Sequence, residues 1–235
     1  MTEFDINALK DELKAGLEAN AGEDGLKEMD VDDLMDAMSH PKAADIVKAL
    51  IELEPDTIQS GELAPDFTLP WLSGQGPDGS SSVTLSDYFD SRPVALIFGS
   101  YTCPPFRAQA GTLNEIYREF SNQVEFFVVY IKEIHPTDGW QVKENEQDAI
   151  LFRTHESLAE RVAVGRSCMI KLALEMPALV DEMDDAVATI YGAMPERLYL
   201  ISRDGNVAYK SGMGPMFFKP REWQEAIRSY LAEER

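Results

Sequence analysis

Pro93-Val94-Ala95-Leu96-Ile97-Phe98-Gly99-Ser100-Tyr101-Thr102-Cys103-Pro104-Pro105-Phe106 is an apolar run that passes through a Gly-Ser pair into a thiol followed by two prolines. The run reads as a buried strand, and Pro at a first helical turn marks a helix start directly after the thiol. A cysteine at such a turn lies beside unpaired amide N–H groups and the positive helix end, which favours its thiolate form. Cys103 is therefore a candidate nucleophile, the alternative being a small buried hydrophobe.

The same texture continues outward. Ala64-Pro65-Asp66-Phe67-Thr68-Leu69 reads as a short opening strand, followed by the turn-forming stretch from Ser73 to Ser80. Beyond Cys103 the pattern predicts a helix from about 104 to 120 and a second strong strand, Val124 to Ile131. That βαβ order implies parallel neighbours. A helical pattern covers about 155 to 174. Arg197-Leu198-Tyr199-Leu200-Ile201 is joined through Asp204-Gly205 to Val207-Ala208-Tyr209-Lys210, a hairpin signal. A final amphipathic helix spans about 220 to 232, with Trp223, Ile227, Tyr230 and Leu231 on its apolar face.

This order, with a thiol after the first strand of the βαβ unit and Met194-Pro195 ahead of the third strand, resembles the thioredoxin fold. The resemblance implies an α/β domain with a central mixed sheet flanked by helices, and a cis Pro195 facing the cysteine. The alternative is an ordinary trans proline opening a strand.

Residues 1–58 read as an acidic helical N-terminal extension, and 59–235 as the main domain. Ile6, Leu9, Leu13 and Leu17, then Ile46, Val47, Leu50 and Ile51, are spaced for helices; Gly22 to Gly25 and His40-Pro41 break them. The extension is either an oligomerisation or partner surface or a solvated appendage. Asp30, Asp32, Asp33 and Asp36 lack the spacing of a calcium loop and read as a charged helix start.

Over 235 residues, 42 acidic against 21 basic side chains give a formal net charge of −21, which argues against nucleic acid or an anionic membrane as partner. No stretch approaches the roughly 18 apolar residues of a membrane helix, and no signal-peptide pattern opens the chain, so a cytoplasmic protein is expected. The two cysteines, Cys103 and Cys168, form neither a disulfide framework nor a zinc motif. Cys168 reads as a buried helix residue; the alternative is a resolving thiol for Cys103.

Three further segments bear on chemistry. Tyr130-Ile131-Lys132-Glu133-Ile134-His135-Pro136-Thr137-Asp138-Gly139-Trp140 follows the second strand, so Glu133 and His135 emerge at the same sheet edge as Cys103. A histidine beside a carboxylate and across from a thiol is a general acid/base arrangement; alone, His135 would be a turn residue before Pro136. Together with the Cys103 segment, with Tyr191-Gly192-Ala193-Met194-Pro195-Glu196-Arg197-Leu198-Tyr199 and with Tyr209-Lys210-Ser211-Gly212-Met213-Gly214-Pro215, it closely resembles the iodothyronine deiodinase family from about residue 61 onward.

The resemblance implies a thiol-dependent oxidoreductase that removes iodine reductively from an iodinated aromatic, thyroxine-like substrate. Cys103 stands where vertebrate members carry selenocysteine. His135 matches the histidine that engages the substrate phenol or donates the proton, and Arg197 the arginine that grips the substrate opposite. Glu133, Tyr130, Ser100 and Thr102 fall on positions of a proton-supply network, which His155 joins. No metal or organic cofactor is implied, only an external thiol reductant or thioredoxin-type protein; a homodimer is the family's common state.

Chemistry supports the roles independently. Replacing aromatic C–I by C–H needs a soft nucleophile for iodine and an acid for carbon. Arg197 can hold a carboxylate through two parallel hydrogen bonds and can lower the thiol pKa; the alternative is a strand-end arginine paired with one of the chain's acids. Departures count too: cysteine is the weaker nucleophile, Tyr101 removes a second thiol two residues before Cys103, and the membrane anchor of vertebrate members is expected to be lacking. These point to a microbial type of member.

Two other functions compete. The opening Gly61 to Leu69 also resembles peroxiredoxins, whose signature Ser100 fits and Leu96 does not, so a thiol peroxidase using Cys103 is one alternative. A non-catalytic thioredoxin-fold binding protein is the other. A disulfide reductase is disfavoured because Phe106 occupies the CxxC partner position.

Overall fold

The structure, a computed structural model, describes Asp11 and residues 31–234. Asp11 apart, the expected helix around Ile6 to Leu17, the break at 22–25 and Asp30 lie outside the described residues. Helices α1 (Val31–Ala37) and α2 (Ala43–Leu53) are separated at His40-Pro41, and an antiparallel ribbon of β1 (Thr68–Pro70) and β2 (Ser82–Thr84) follows. The main sheet begins with β3 (Val94–Gly99), then α3 (Pro104–Ala108), α4 (Ala110–Phe120), β4 (Glu125–Tyr130), α5 (Lys143–Gln147), α6 (Leu158–Lys171), β5 (Ala178–Val180), α7 (Ala186–Ile190), β6 (Arg197–Ile201), β7 (Val207–Lys210) and α8 (Pro220–Glu233).

The five strands lie in the order β5-β4-β3-β6-β7. β3 pairs parallel with β4, and β4 with β5; β6 and β7 run antiparallel. This is the mixed, helix-flanked sheet expected from the sequence. Strand alternation sorts the core into two layers. Ala95, Ile97, Phe126, Val128, Leu198 and Leu200 face one way, with Leu113 and Ile116 of α4 and Trp223 and Ile227 of α8. Val94, Leu96, Phe98, Phe127, Val129, Tyr199 and Ile201 face the other, with Leu69, Val83 and Tyr191. Sheets covered on both faces read as unbroken apolar runs, which is why β3 was plain in the sequence.

The differences from expectation are local. The helix expected over 104–120 is two helices meeting at Gln109, which at φ −88° and ψ −1° sits at the edge of the helical region and serves as the end cap of one and the start cap of the other. α6 starts at Leu158 because Ser157 caps it, its hydroxyl accepting the Glu160 amide at 3.3 Å while the Glu160 carboxylate accepts the Glu156 amide at 2.8 Å. The three-residue β5 was not foreseen; Pro177 precedes it and its length gives no period to read. The Met194–Pro195 peptide is cis, as expected, and so is Gly214–Pro215. No helix among the described residues is long and apolar enough to cross a membrane.

Two features position the site. α2 is no solvated appendage: Ile46 and Val47 pack on the core, and Ile51 faces outward. The chain just before it is tied to the segment after β4, since the Trp140 indole donates to the Ala37 carbonyl at 2.8 Å and Lys42 to the Asp138 carbonyl at 2.7 Å. Residues 61–72 wrap the sheet. The Gly61 amide donates to the Val207 carbonyl and the Glu62 carbonyl accepts the Val207 amide, both at 2.8 Å, while the Leu72 amide donates to the Ala178 carbonyl at 2.9 Å on the opposite margin.

Gly99 ends β3 under the ring of Phe106, where an added Cβ would lie 2.4 Å from a ring carbon. That close approach lets the chain fold back from strand to α3 with Cys103 at the bend. Gly99→Ala is expected to lower the free energy of unfolding by about 1–3 kcal/mol through overpacking, measured by urea denaturation.

Candidate active site

Cys103 is the cap residue of α3, extended at φ −91° and ψ 105°, with Pro104 opening the helix behind it. Its side chain is 1% exposed, and Sγ–H donates to Glu196 Oε2 at 2.8 Å. The expected low thiol pKa is not what this environment gives. Burial, and then the negative charge of Glu196, push the thiol well above its ordinary range; the Phe106 amide at the helix start and Arg107 pull the other way and are outweighed.

Glu133 binds the loop that carries the thiol. Its Oε2 accepts the Thr102 amide at 2.8 Å and the Thr102 hydroxyl at 2.6 Å, and its Oε1 accepts the Tyr130 hydroxyl. Thr102 Oγ1 in turn accepts the His135 amide at 3.2 Å, and the Tyr130 oxygen accepts the Tyr101 amide at 3.2 Å. The ends of β3 and β4 are thereby tied together. His155 lies alongside, with Nε2 3.7 Å from Glu133 Oε1, and burial lowers its pKa. The Ser100 hydroxyl is buried without a partner. Tyr130, Thr102 and Glu133 are hydrogen-bonded together, with His155 beside Glu133 but neither of its ring nitrogens hydrogen-bonded; Ser100 is nearby in the chain and likewise outside the hydrogen-bonded set.

His135 is held edge-on to Trp140, with ring centroids 4.6 Å apart and Nδ1 2.8 Å from the Trp140 carbonyl oxygen. A carbonyl can only accept, so Nδ1 carries the proton and Nε2 is the ring's acceptor. Burial holds its pKa at about 4, so the imidazole is neutral across physiological pH.

Arg197 is fully buried, and its fork is already filled. NH1 and NH2 each lie 2.8 Å from the two oxygens of Glu54, directly after α2, and NH1 also reaches the Ser211 carbonyl at 3.4 Å. Lys210 Nζ joins at 2.7 Å from Glu54 and 2.8 Å from the Thr57 hydroxyl. Although burial opposes it, these bonds hold the Glu54 carboxyl below its usual range. The guanidinium is therefore directed at Glu54, not at the thiol.

Beside these residues lies a cavity of 310 Å³, walled by Ile46 and Leu50 of α2, Glu133, Trp140, Met194 and Arg197. Cys103 and His135 lie outside its wall. Cys168, on α6, is a free thiol, fully buried in the same core layer as Cys103, and burial raises its pKa. Residues the sequence reading passed over complete the picture: Glu196 on Sγ, Glu54 on Arg197, and Asn145, which donates to the Thr102 carbonyl at 2.9 Å and accepts from Arg107 at 2.7 Å. Glu196 had a legible signal, a carboxylate heading a strand with no exposed position. Glu54 and Asn145 had none, since they arrive from far along the chain.

The chain is similar to known proteins to different degrees. The chain is 36% identical over 163 residues to a type I iodothyronine deiodinase of Xenopus laevis, covering 69% of this chain and 60% of that one. It is 34% identical over 156 residues to the human thyroxine 5-deiodinase, covering 66% and 49%. The chain thus spans about half to three-fifths of the length of these relatives. Among solved structures, a hypothetical protein of Sinorhizobium meliloti superposes with a TM-score of 0.54 at 17% identity, over 75% of this chain and 86% of that one. An uncharacterized conserved protein of Geobacillus kaustophilus gives 0.54 at 18%, over 76% and 85%. These likenesses agree with the thioredoxin-like fold. The model of the iodothyronine deiodinase family matches residues 27–232, and the chain belongs to that family.

Proposed function

We propose that this protein is an oxidoreductase that removes iodine from an iodinated aromatic, thyroxine-like compound, with Cys103 as nucleophile and an external thiol as reductant. The observation that carries the reading is a lone thiol at a strand-to-helix turn, enclosed with a titratable carboxylate against its sulfur, in a chain of this family. With no second cysteine in the loop, the sulfur suits a cycle closed by an outside thiol.

In that cycle the Cys103 thiolate forms an S–I bond as C–I breaks. The electron pair of the broken bond stays on the ring carbon, which takes a proton. One reductant thiol then displaces iodide and leaves a mixed disulfide; a second releases Cys103 and departs as disulfide. The net change is one aryl iodide and two thiols to one arene, one disulfide and hydrogen iodide. No resident cofactor enters these steps.

The neutral His135, its Nδ1–H given to Trp140, is suited to accept the substrate phenol at Nε2 and not to supply the proton. The Thr102, Tyr130, Glu133 and His155 group is the nearby route for protons. The 310 Å³ cavity is of a size to receive an aromatic ring. Arg197 would hold a substrate carboxylate only by exchanging Glu54 for it. A cytoplasmic, homodimeric protein is part of the proposal, and its two free cysteines suit a reducing compartment.

Iodide release from thyroxine with excess dithiothreitol tests the reading. Wild type is expected to release iodide and Cys103→Ala none above the thiol blank; a wild type that consumes hydrogen peroxide instead, with no iodide, would make the protein a peroxidase. His135→Gln, which keeps an acceptor near Nε2, is expected to retain about tenfold more activity than His135→Ala, whereas an acid role would leave both equally impaired. Glu54→Gln, by opening the Arg197 fork, is expected to lower KM for thyroxine by about tenfold, and Arg197→Ala to raise it by a similar factor.

A further inference from the structure

Glu196 has an environment unlike that of any other carboxylate near the site. It is fully buried at the head of β6, with Oε2 2.8 Å from Cys103 Sγ and Oε1 buried without a partner. Glu133, by contrast, receives three donors. The backbone of Gly214 presses on the carboxylate from the far side: a Cβ built there would stand 1.8 Å from Oε1 and 2.3 Å from the carboxyl carbon. Only glycine leaves room for Glu196 to stay against the sulfur.

The other charged groups facing this pair are committed elsewhere. Arg107 on α3 is spent on the Tyr101 carbonyl at 3.0 Å, Asn145 at 2.7 Å and Asp148 at 2.8 Å. Arg197, the neighbour of Glu196 on β6, points to Glu54, which Lys210 also holds. Each lends a positive field without a hydrogen bond to Sγ. Among the described residues, the side chain in hydrogen-bond contact with the thiol is Glu196, while the Phe106 backbone amide at the helix start favours the thiolate.

We propose that Glu196 is the catalytic base of Cys103: the S–H bond breaks, its proton moves to the Glu196 carboxylate, and the sulfur meets its electrophile as a thiolate. This rests on the reading of Cys103 as nucleophile and adds the group that ionises it. The transfer moves one proton within a buried pair and leaves its net charge unchanged, so no charge has to be carried through the core. Burial raises Glu196 to about 7, partly offset by the Cys103 hydrogen bond and Arg197, and a base matched to neutral pH is the efficient kind. The two groups titrate as a unit. The competent form, with one proton shared between sulfur and carboxylate, forms as pH rises through about 7.

The test is the rate of Cys103 alkylation by iodoacetamide in the full chain, resolved from Cys168 by mass spectrometry, as a function of pH. Wild type is expected to show a limb near pH 7 and then a plateau. Glu196→Gln is expected to lose that limb and to react about 100-fold more slowly at neutral pH; Gly214→Ala, which displaces the carboxylate, is expected to slow it in the same direction. Glu196→Gln reacting as fast as wild type, or faster, would overturn the proposal, because Glu196 would then act only as a like charge opposing ionisation. If that variant does not fold, the wild-type profile decides: a single rise confined to the ordinary thiol range also overturns it. Iodide release from thyroxine is measured in parallel. Its absence alongside the neutral-pH limb rejects the deiodinase reading and leaves the acid–thiol pair standing.

Discussion

The carboxylate of Glu133 is the fastening on which the site depends. Parallel strands β3 and β4 deliver two loops to the same end of the sheet, and nothing in strand pairing alone fixes those loops relative to each other. Glu133 does so by receiving both the amide and the hydroxyl of Thr102 and the hydroxyl of Tyr130. Cys103 follows Thr102 directly, so its place is set by a neighbour's hydrogen bonds. A polar group inside a core is costly unless it is provided with partners, and here the provision and the positioning are the same bonds.

The two buried glutamates show how environment assigns work to identical side chains. Glu133, saturated with donors, is a structural tie. Glu196, with the thiol as its one donor, is pushed up to about 7 by burial.

Much of this was legible in the sequence. The unbroken apolar runs at 93–98 and 124–131, the Asp204-Gly205 turn and the Pro104-Pro105 helix start gave the sheet and the place of Cys103, because burial on both faces and turn chemistry leave local signatures. Glu133, Tyr130 and Thr102 meet, with His155 beside Glu133, as the family resemblance implied; the segment after β4 by itself placed Glu133 and His135 at the edge of Cys103. The thiol's pKa was not legible: the helix-end effect was read from local sequence, but burial and Glu196, 93 positions away, overrule it. Nor was the filling of the Arg197 fork by Glu54, 143 positions distant, since no local pattern announces a long-range ion pair.

The wrapping of the sheet by residues 61–72 governs how this molecule meets other molecules. A sheet margin with unsatisfied amides and carbonyls is a template on which a foreign strand can add. Here one short stretch of chain occupies both margins, bonding Val207 through Gly61 and Glu62 at one and Ala178 through Leu72 at the other. The hydrogen-bonding capacity at those positions is consumed within the chain itself. Contact with another polypeptide at these positions must therefore be made by side chains of helices and loops, and a highly acidic protein is spared backbone zippering there by covering its edges as well as by charge repulsion.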